Sequence, residues 1–181
     1  NLSPNQFLRA DLVSTVRRAL VDSRLEPQYL ELELTETAAM EKPERAIEVL
    51  HELGELGVAA MLDDFGTGHS SFARLRDLPV STIKIDRSFV SELTEDGDNR
   101  AMVSGMIALA HALGIGVIAE GVETAAQFRE LRALDCDMMQ GSHFARPLSA
   151  DATTLLLEHG LSDMPSGSAG SLGSTPGRGR E

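Results

Sequence analysis

The run Met61-Leu62-Asp63-Asp64-Phe65-Gly66-Thr67-Gly68 joins an apolar strand to two adjacent carboxylates and a glycine-flexed loop. Paired carboxylates supply the hard oxygen donors that Mg²⁺ or Mn²⁺ prefers. Successive side chains along a strand point to opposite faces, so two neighbouring acids are expected to converge on one spot where the strand ends. Gly66 and Gly68 would let the backbone turn sharply there or approach a ligand closely. Taken alone, an Asp-Asp pair before a glycine turn is more often a solvated loop.

The same arrangement recurs along the chain. Leu30-Glu31-Leu32-Glu33-Leu34-Thr35-Glu36 alternates strictly, with leucines on one face and Glu31, Glu33 and Thr35 on the other. Ile83-Lys84-Ile85-Asp86 repeats the alternation, Gly116 to Ala119 closes on Glu120-Gly121, and Cys136 to Met139 closes on Gln140-Gly141. Five strand-like segments thus carry a polar or charged residue at the C-terminal end.

Helical periodicity fills the intervals. Pro43 to Leu56 carries Ala46, Ile47, Val49, Leu50, Leu53 and Leu56 on one stripe and stops at Gly57. Asn99 to Leu113 repeats the pattern with Met102, Val103, Met106, Ile107, Ala110 and Leu113, before Gly114. Thr124 to Leu134 opens on a Thr cap with Gln127 in the capping-box position. Shorter helices are expected over 70–78 and 149–159, and one helix from Gln6 to Val21. Alternating strands and helices predict an α/β fold with a parallel sheet. A (β/α)8 barrel of the TIM type explains why every candidate residue sits at a strand's C-terminal end, whereas a doubly wound sheet would gather its ligands at one switch point. Five strands in 181 residues fall short of a barrel of about 250 residues, so an N-terminally truncated barrel is expected.

Together these motifs resemble the EAL domain, a bacterial phosphodiesterase family that hydrolyses the second messenger cyclic di-GMP to linear pGpG. The matching stretches are Asn1-Leu2-Ser3 with Gln6, Glu33-Leu34-Thr35-Glu36, Asp63 to Gly68, Lys84-Ile85-Asp86 with Phe89-Val90, Ala119 to Thr124, and Gln140-Gly141 with Phe144-Ala145-Arg146-Pro147. The six occur in the family's order over residues 1 to about 159. The resemblance implies a modified barrel with one antiparallel strand. It also implies two divalent cations, Mg or Mn, with Asn1, Glu33, Asp63 and Asp64 as metal ligands and Asp63 bridging. Glu120 would complete the second metal's surroundings, and Lys84 would hold the attacking water and offset charge on the phosphate. Glu36 would anchor loop 66–71, Gln140 would tether coordinated water, and Asp86 and Glu123 would belong to the same wall. The resemblance further implies cyclic di-GMP as ligand, a homodimer in the complete protein, and room for an upstream sensory or GGDEF domain. The Glu-Ala-Leu signature itself is missing, so this chain alone is expected to be inactive. His69 stands where relatives commonly have Tyr, and Ser142 where they have an aromatic residue.

The chemistry suits those residue types. Two metals can generate hydroxide and clamp the oxygens of an anionic phosphodiester. A lysine amid acids stays protonated and serves as an electrostatic stabiliser rather than a base. Singly, Glu33 or Glu120 would more often be an exposed strand-end acid. Lys84 with Asp86 is as readily a structural ion pair. The five histidines share no ligand spacing, Met138 and Met139 read as core, and Ser70-Ser71 lacks a His/Asp partner.

Net charge −12 disfavours duplex nucleic acid. The single Cys136 excludes an internal disulfide and fits a cytoplasmic, reducing setting, with a membrane tether left open to preceding segments. No apolar run reaches the roughly 18 residues of a membrane span. Residues 1–160 read as the catalytic domain and 161–181, rich in Gly, Ser and Pro, as a disordered tail. Two alternatives stand beside the phosphodiesterase: a catalytically silent module that binds cyclic di-GMP or acts through protein contacts, and another metal-dependent phosphoesterase on a barrel fold.

Overall fold

The computed structural model describes residues 1–68, 72–94 and 97–159. Contacts divide the chain into two units, 1–146 and 147 onward, each described by itself. The second unit contributes helix α9 (Ala150–His159). The expected tail 161–181, loop residues 69–71 and hence His69 and Ser70-Ser71 lie outside the described residues.

The first unit begins with α1 (Pro4–Phe7) and α2 (Leu12–Ser23), where one helix was expected over 6–21. Ser3 and Gln6 form a reciprocal capping box that starts the helix early. Arg9 then grips Asp11 with two hydrogen bonds of 2.9 and 2.8 Å and closes the turn between the helices. Neither Gly nor Pro marks that break, so periodicity runs across it.

Next come β1 (Glu31–Thr35), α3 (Glu36–Glu41), α4 (Pro43–Glu55), β2 (Ala59–Phe65), α5 (Phe72–Leu75) and β3 (Thr82–Ile85). The unit ends with α6 (Arg87–Ser91), α7 (Gly97–Ala112), β4 (Gly116–Ala119), α8 (Ala125–Ala133) and β5 (Met138–Met139). The sheet order is β1-β2-β3-β4-β5, every pairing parallel. Leu2 adds a parallel bridge to Leu34 on the outer edge of β1. A doubly wound sheet would reverse its order at a switch point. Consecutive order in one direction is the winding of a barrel wall. The antiparallel strand that the resemblance implies is not among the five described strands.

Leu34, Leu62, Ile83, Ile85, Val117 and Ala119 are buried beneath the helices. Against them pack Ala46, Val49, Leu50 and Leu53 of α4 and Val103, Met106, Ile107 and Ala110 of α7. Met102, expected in that stripe, is 51% exposed because it lies at the stripe's edge. Met138, expected in the core, is 48% exposed, since alternation in so short a strand turns it outward.

Candidate functional site

Asp63 and Asp64 fall within the last three residues of β2, at its C-terminal end. Leu62 pairs with Ile83 and Phe65 with Ile85, which leaves both Asp63 and Asp64 opposite Lys84. This is a β-bulge, and Asp64 takes the left-handed conformation it requires, with φ 56°. Aspartate tolerates that region better than most residues. The Asp64 N–H donates to Asp63 Oδ1 at 3.0 Å, and Thr67 closes the turn by donating both N–H and Oγ1 to the Asp64 carbonyl. A bulge at the strand's end answers the parity problem of two adjacent acids.

Lys84 on the neighbouring strand is buried, only 4% exposed. Its Nζ lies 2.6 Å from Glu120, 3.2 Å from Glu33 and 3.5 Å from Asp63. Residues of β1, β2, β3 and the end of β4 therefore meet on one face at the C-terminal ends of four adjacent strands. Burial works against the lysine's charge, but the hydrogen bonds and charges of Glu120, Glu33 and Asp63 outweigh it and its pKa is pushed up to about 12. Asp64 is raised, chiefly by burial and then by the charges of Asp63 and Asp86.

Glu36, 2% exposed, opens α3 and accepts the Gly66 N–H at 2.9 Å, which ties β1 to the turn after β2. Gly66 has φ 98°, and a Cβ there would strike Phe89 and Met106. Asp86 makes no bridge to Lys84. It caps α6 instead, accepting from Ser88 N–H at 3.0 Å and Ser88 Oγ at 2.5 Å, and these bonds hold it low although burial pulls the other way. Asn1 is exposed and precedes Leu2, whose N–H donates to the Glu33 carbonyl at 2.7 Å, so Asn1 stands beside Glu33 at the sheet edge. Glu123 and Gln140 are also exposed. Their backbones form one braced rim: Val122 N–H donates to the Gln140 carbonyl, Gln140 N–H to Ala119, and Glu123 N–H to Gln127 Oε1. Gly141 packs so closely on the Val122 backbone that no side chain would fit.

One supporting residue escaped the sequence reading, and a second does more than was expected of it. Asn99, 7% exposed, donates its amide to the Phe89 carbonyl at 2.6 Å, and Phe89 in turn covers Gly66. Its place on the stripe 99, 103, 106, 110 was the available signal. Gln127 accepts from both Glu123 and Thr124, doing more than cap α8.

The family model of the EAL domain matches residues 1–147. The chain belongs to the EAL domain family. It is 46% identical over 151 residues to the bifunctional diguanylate cyclase/cyclic di-GMP phosphodiesterase MucR of Pseudomonas aeruginosa, a match covering 83% of this chain and 22% of MucR. The solved PaMucR phosphodiesterase, a c-di-GMP complex, superposes with a TM-score of 0.82 at 45% identity, covering 84% of this chain and 62% of that one. Klebsiella pneumoniae BlrP1 in a manganese/cy-diGMP complex gives a TM-score of 0.75 at 31% identity, covering 81% of this chain and 38% of BlrP1. BlrP1 also has a calcium/cy-diGMP complex. The fold is thus the parallel α/β architecture of EAL domains, which are TIM-barrel-like, and the chain spans about a fifth of the length of MucR. Among the described residues no helix of this EAL chain is long and apolar enough to cross a membrane.

The donor set suits a hard divalent cation such as the manganese or calcium in the BlrP1 complexes: Glu33, Asp63, Asp64 and Glu120 offer only carboxylate oxygens. Among the described residues, however, no three His, Cys, Asp or Glu side chains are grouped closely enough to hold an ion by themselves. The acids meet through the Lys84 ammonium.

Proposed function

We propose that the EAL domain formed with this chain hydrolyses cyclic di-GMP to linear pGpG, using two divalent cations, Mg²⁺ or Mn²⁺. The observation that carries the reading is the convergence of Glu33, Asp63 and Glu120 on the buried Lys84 at the ends of adjacent strands. Asn1, Glu33, Asp63 and Asp64 would hold the metals, with Glu120 beside the second. When bound, such cations acidify a water and clamp the oxygens of an in-line phosphoryl transfer.

The chain's own groups supply the rest. Its contacts with Glu120, Glu33 and Asp63 favour the charged form of Lys84, which suits it to offset charge on the reacting phosphate and orient the attacking water rather than accept a proton. Glu36 positions the Gly66 turn, and through Thr67 the Asp64 backbone. Asp86, Glu123 and Gln140 line the rim where a dinucleotide would lie, and an exposed Gln140 is free to hold water at its edge. A homodimer, an upstream sensory or GGDEF domain and a cytoplasmic setting belong to the same reading; MucR, which joins a diguanylate cyclase and a phosphodiesterase in one chain, supports the second of these.

The test is turnover of cyclic di-GMP by the full-length protein in Mn²⁺. Asp63→Asn removes charge but little volume, and is expected to lower kcat at least 100-fold, as loss of a central electrostatic group does. The thermal unfolding profile should be unchanged. A variant that keeps most of its turnover would refute the assignment. Tight binding of cyclic di-GMP by the native protein without any hydrolysis would make the domain a silent receptor instead.

A further inference from the structure

Three carboxylates on three strands would repel one another, yet Glu33, Asp63 and Glu120 share one neighbour, the Lys84 ammonium. The bulge sets Asp63 and Asp64 directly opposite that lysine. We propose that Lys84 is the resident cation of the acid cluster: it holds the acids together without metal and competes with an incoming divalent cation for the oxygens of Glu33 and Asp63. The inference rests on the reading of these acids as a divalent-cation site, and adds to it an internal competitor.

The contact lengths give the exchange a direction. Glu120 is the nearest partner at 2.6 Å, Glu33 is at 3.2 Å and Asp63 at 3.5 Å. The ammonium can therefore give up Glu33 and Asp63 while it stays on Glu120. A single substitution at Lys84 should then have two opposite effects. Removing the charge leaves partly buried acids without a counter-ion, which weakens the metal-free fold. It also removes a positive charge a few ångströms from the place a cation must enter, which strengthens metal binding. A lysine that served only packing, or only the chemical step, would produce the first effect or neither.

The test compares the full-length protein with its Lys84→Met and Lys84→Arg variants, by thermal unfolding in EDTA and in Mn²⁺, and by Mn²⁺ titration followed through the EPR signal of the free ion. Lys84→Met is expected to melt below the native chain in EDTA, to gain more from Mn²⁺, and to bind Mn²⁺ on the order of tenfold tighter. Lys84→Arg keeps the charge and should stay within about threefold of native affinity. Equal or weaker binding by Lys84→Met overturns the proposal. If that variant is unfolded in EDTA by circular dichroism, Mn²⁺ is expected to restore its fold, and failure to do so overturns the proposal equally. Cyclic di-GMP takes no part in these measurements. Loss of turnover in the full-length protein therefore bears on the phosphodiesterase reading, unaltered Mn²⁺ affinity on Lys84, and absence of Mn²⁺ binding by all three chains counts against both.

Discussion

At the scale of single residues, the site depends on a backbone conformation as much as on charge. Asp64 holds φ 56° so that two consecutive acids can share one strand position opposite Lys84. A β-branched side chain is costly in that region, so Asp64→Val is expected to destabilise the chain by about 1–2 kcal/mol. Asp64→Asn keeps the conformational tolerance and removes a charge that burial, Asp63 and Asp86 all disfavour, so stability should hold or rise. Urea unfolding in EDTA separates the two, and equal tolerance of Val and Asn would show that the bulge does not hold residue 64 in place. The identity of the acids was legible from Asp63-Asp64 before a glycine turn, but their geometry was not. A doublet written in sequence looks the same whether the strand stops there or bulges. Lys84 was legible as a charged residue on an alternating strand, yet its partners were not: Asp86, two residues on, was the local candidate, and the actual acids are 36 or more positions away on β1 and β4 or across the bulge on β2.

At the scale of elements, α4 and α7 were read from periodicity and glycine stops because each carries its own boundary signal, whereas α3 and α6, of six and five residues, are too short to show a period and were not expected. Gly57 and Gly114 take positive φ just beyond α4 and α7, where the spacing placed the stops. The α1–α2 break left no such mark, because its cause is a side-chain bond between Arg9 and Asp11. In α8 the capping box reaches past the helix. Gln127 accepts from Glu123 at 2.8 Å and from Thr124 at 2.9 Å, and so pins the rim that follows β4. Gln127→Ala is expected to cost about 1–2 kcal/mol, since it takes from two part-buried backbone donors the one oxygen, Oε1, that accepts from both. Amide hydrogen exchange at Glu123 and Thr124 should speed up well beyond that of α4. If exchange rises uniformly over the chain, the residue supports the fold in general and not the rim.

At the scale of the whole molecule, the two ends of the strands have different duties. The acids and Lys84 occupy the C-terminal ends, while Asp137 serves the opposite ends, where it pairs with His111 of α7 at 2.9 Å and accepts the Val117 N–H at 2.9 Å. The His111 bond, then the Val117 bond, hold the Asp137 carboxyl below its ordinary value of 3.8 against the effect of burial. A depressed carboxylate stabilises the fold above its unfolded pKa and ceases to do so as pH falls through its folded one. Because the pair is solvent-screened, Asp137→Asn should cost no more than a few tenths of a kcal/mol near neutrality, with the difference from the native chain fading as pH falls below 3.8. Mn²⁺ affinity should not change, and a change would mean that the two ends are coupled. The strand order has a kinetic consequence as well. Glu31 pairs with Ala59, Met61 with Thr82, Thr82 with Gly116 and Ile118 with Met138, so each new strand docks on the one made just before it. Each pairing closes a crossover of roughly 20–35 residues, slow to form as parallel sheets are, but the order lets strands add one at a time as the chain leaves the ribosome. The cluster around Lys84 is the exception: Glu120 arrives only after β4 has docked, so a nascent chain halted before that strand would carry Glu33, Asp63 and Lys84 but not the lysine's nearest partner.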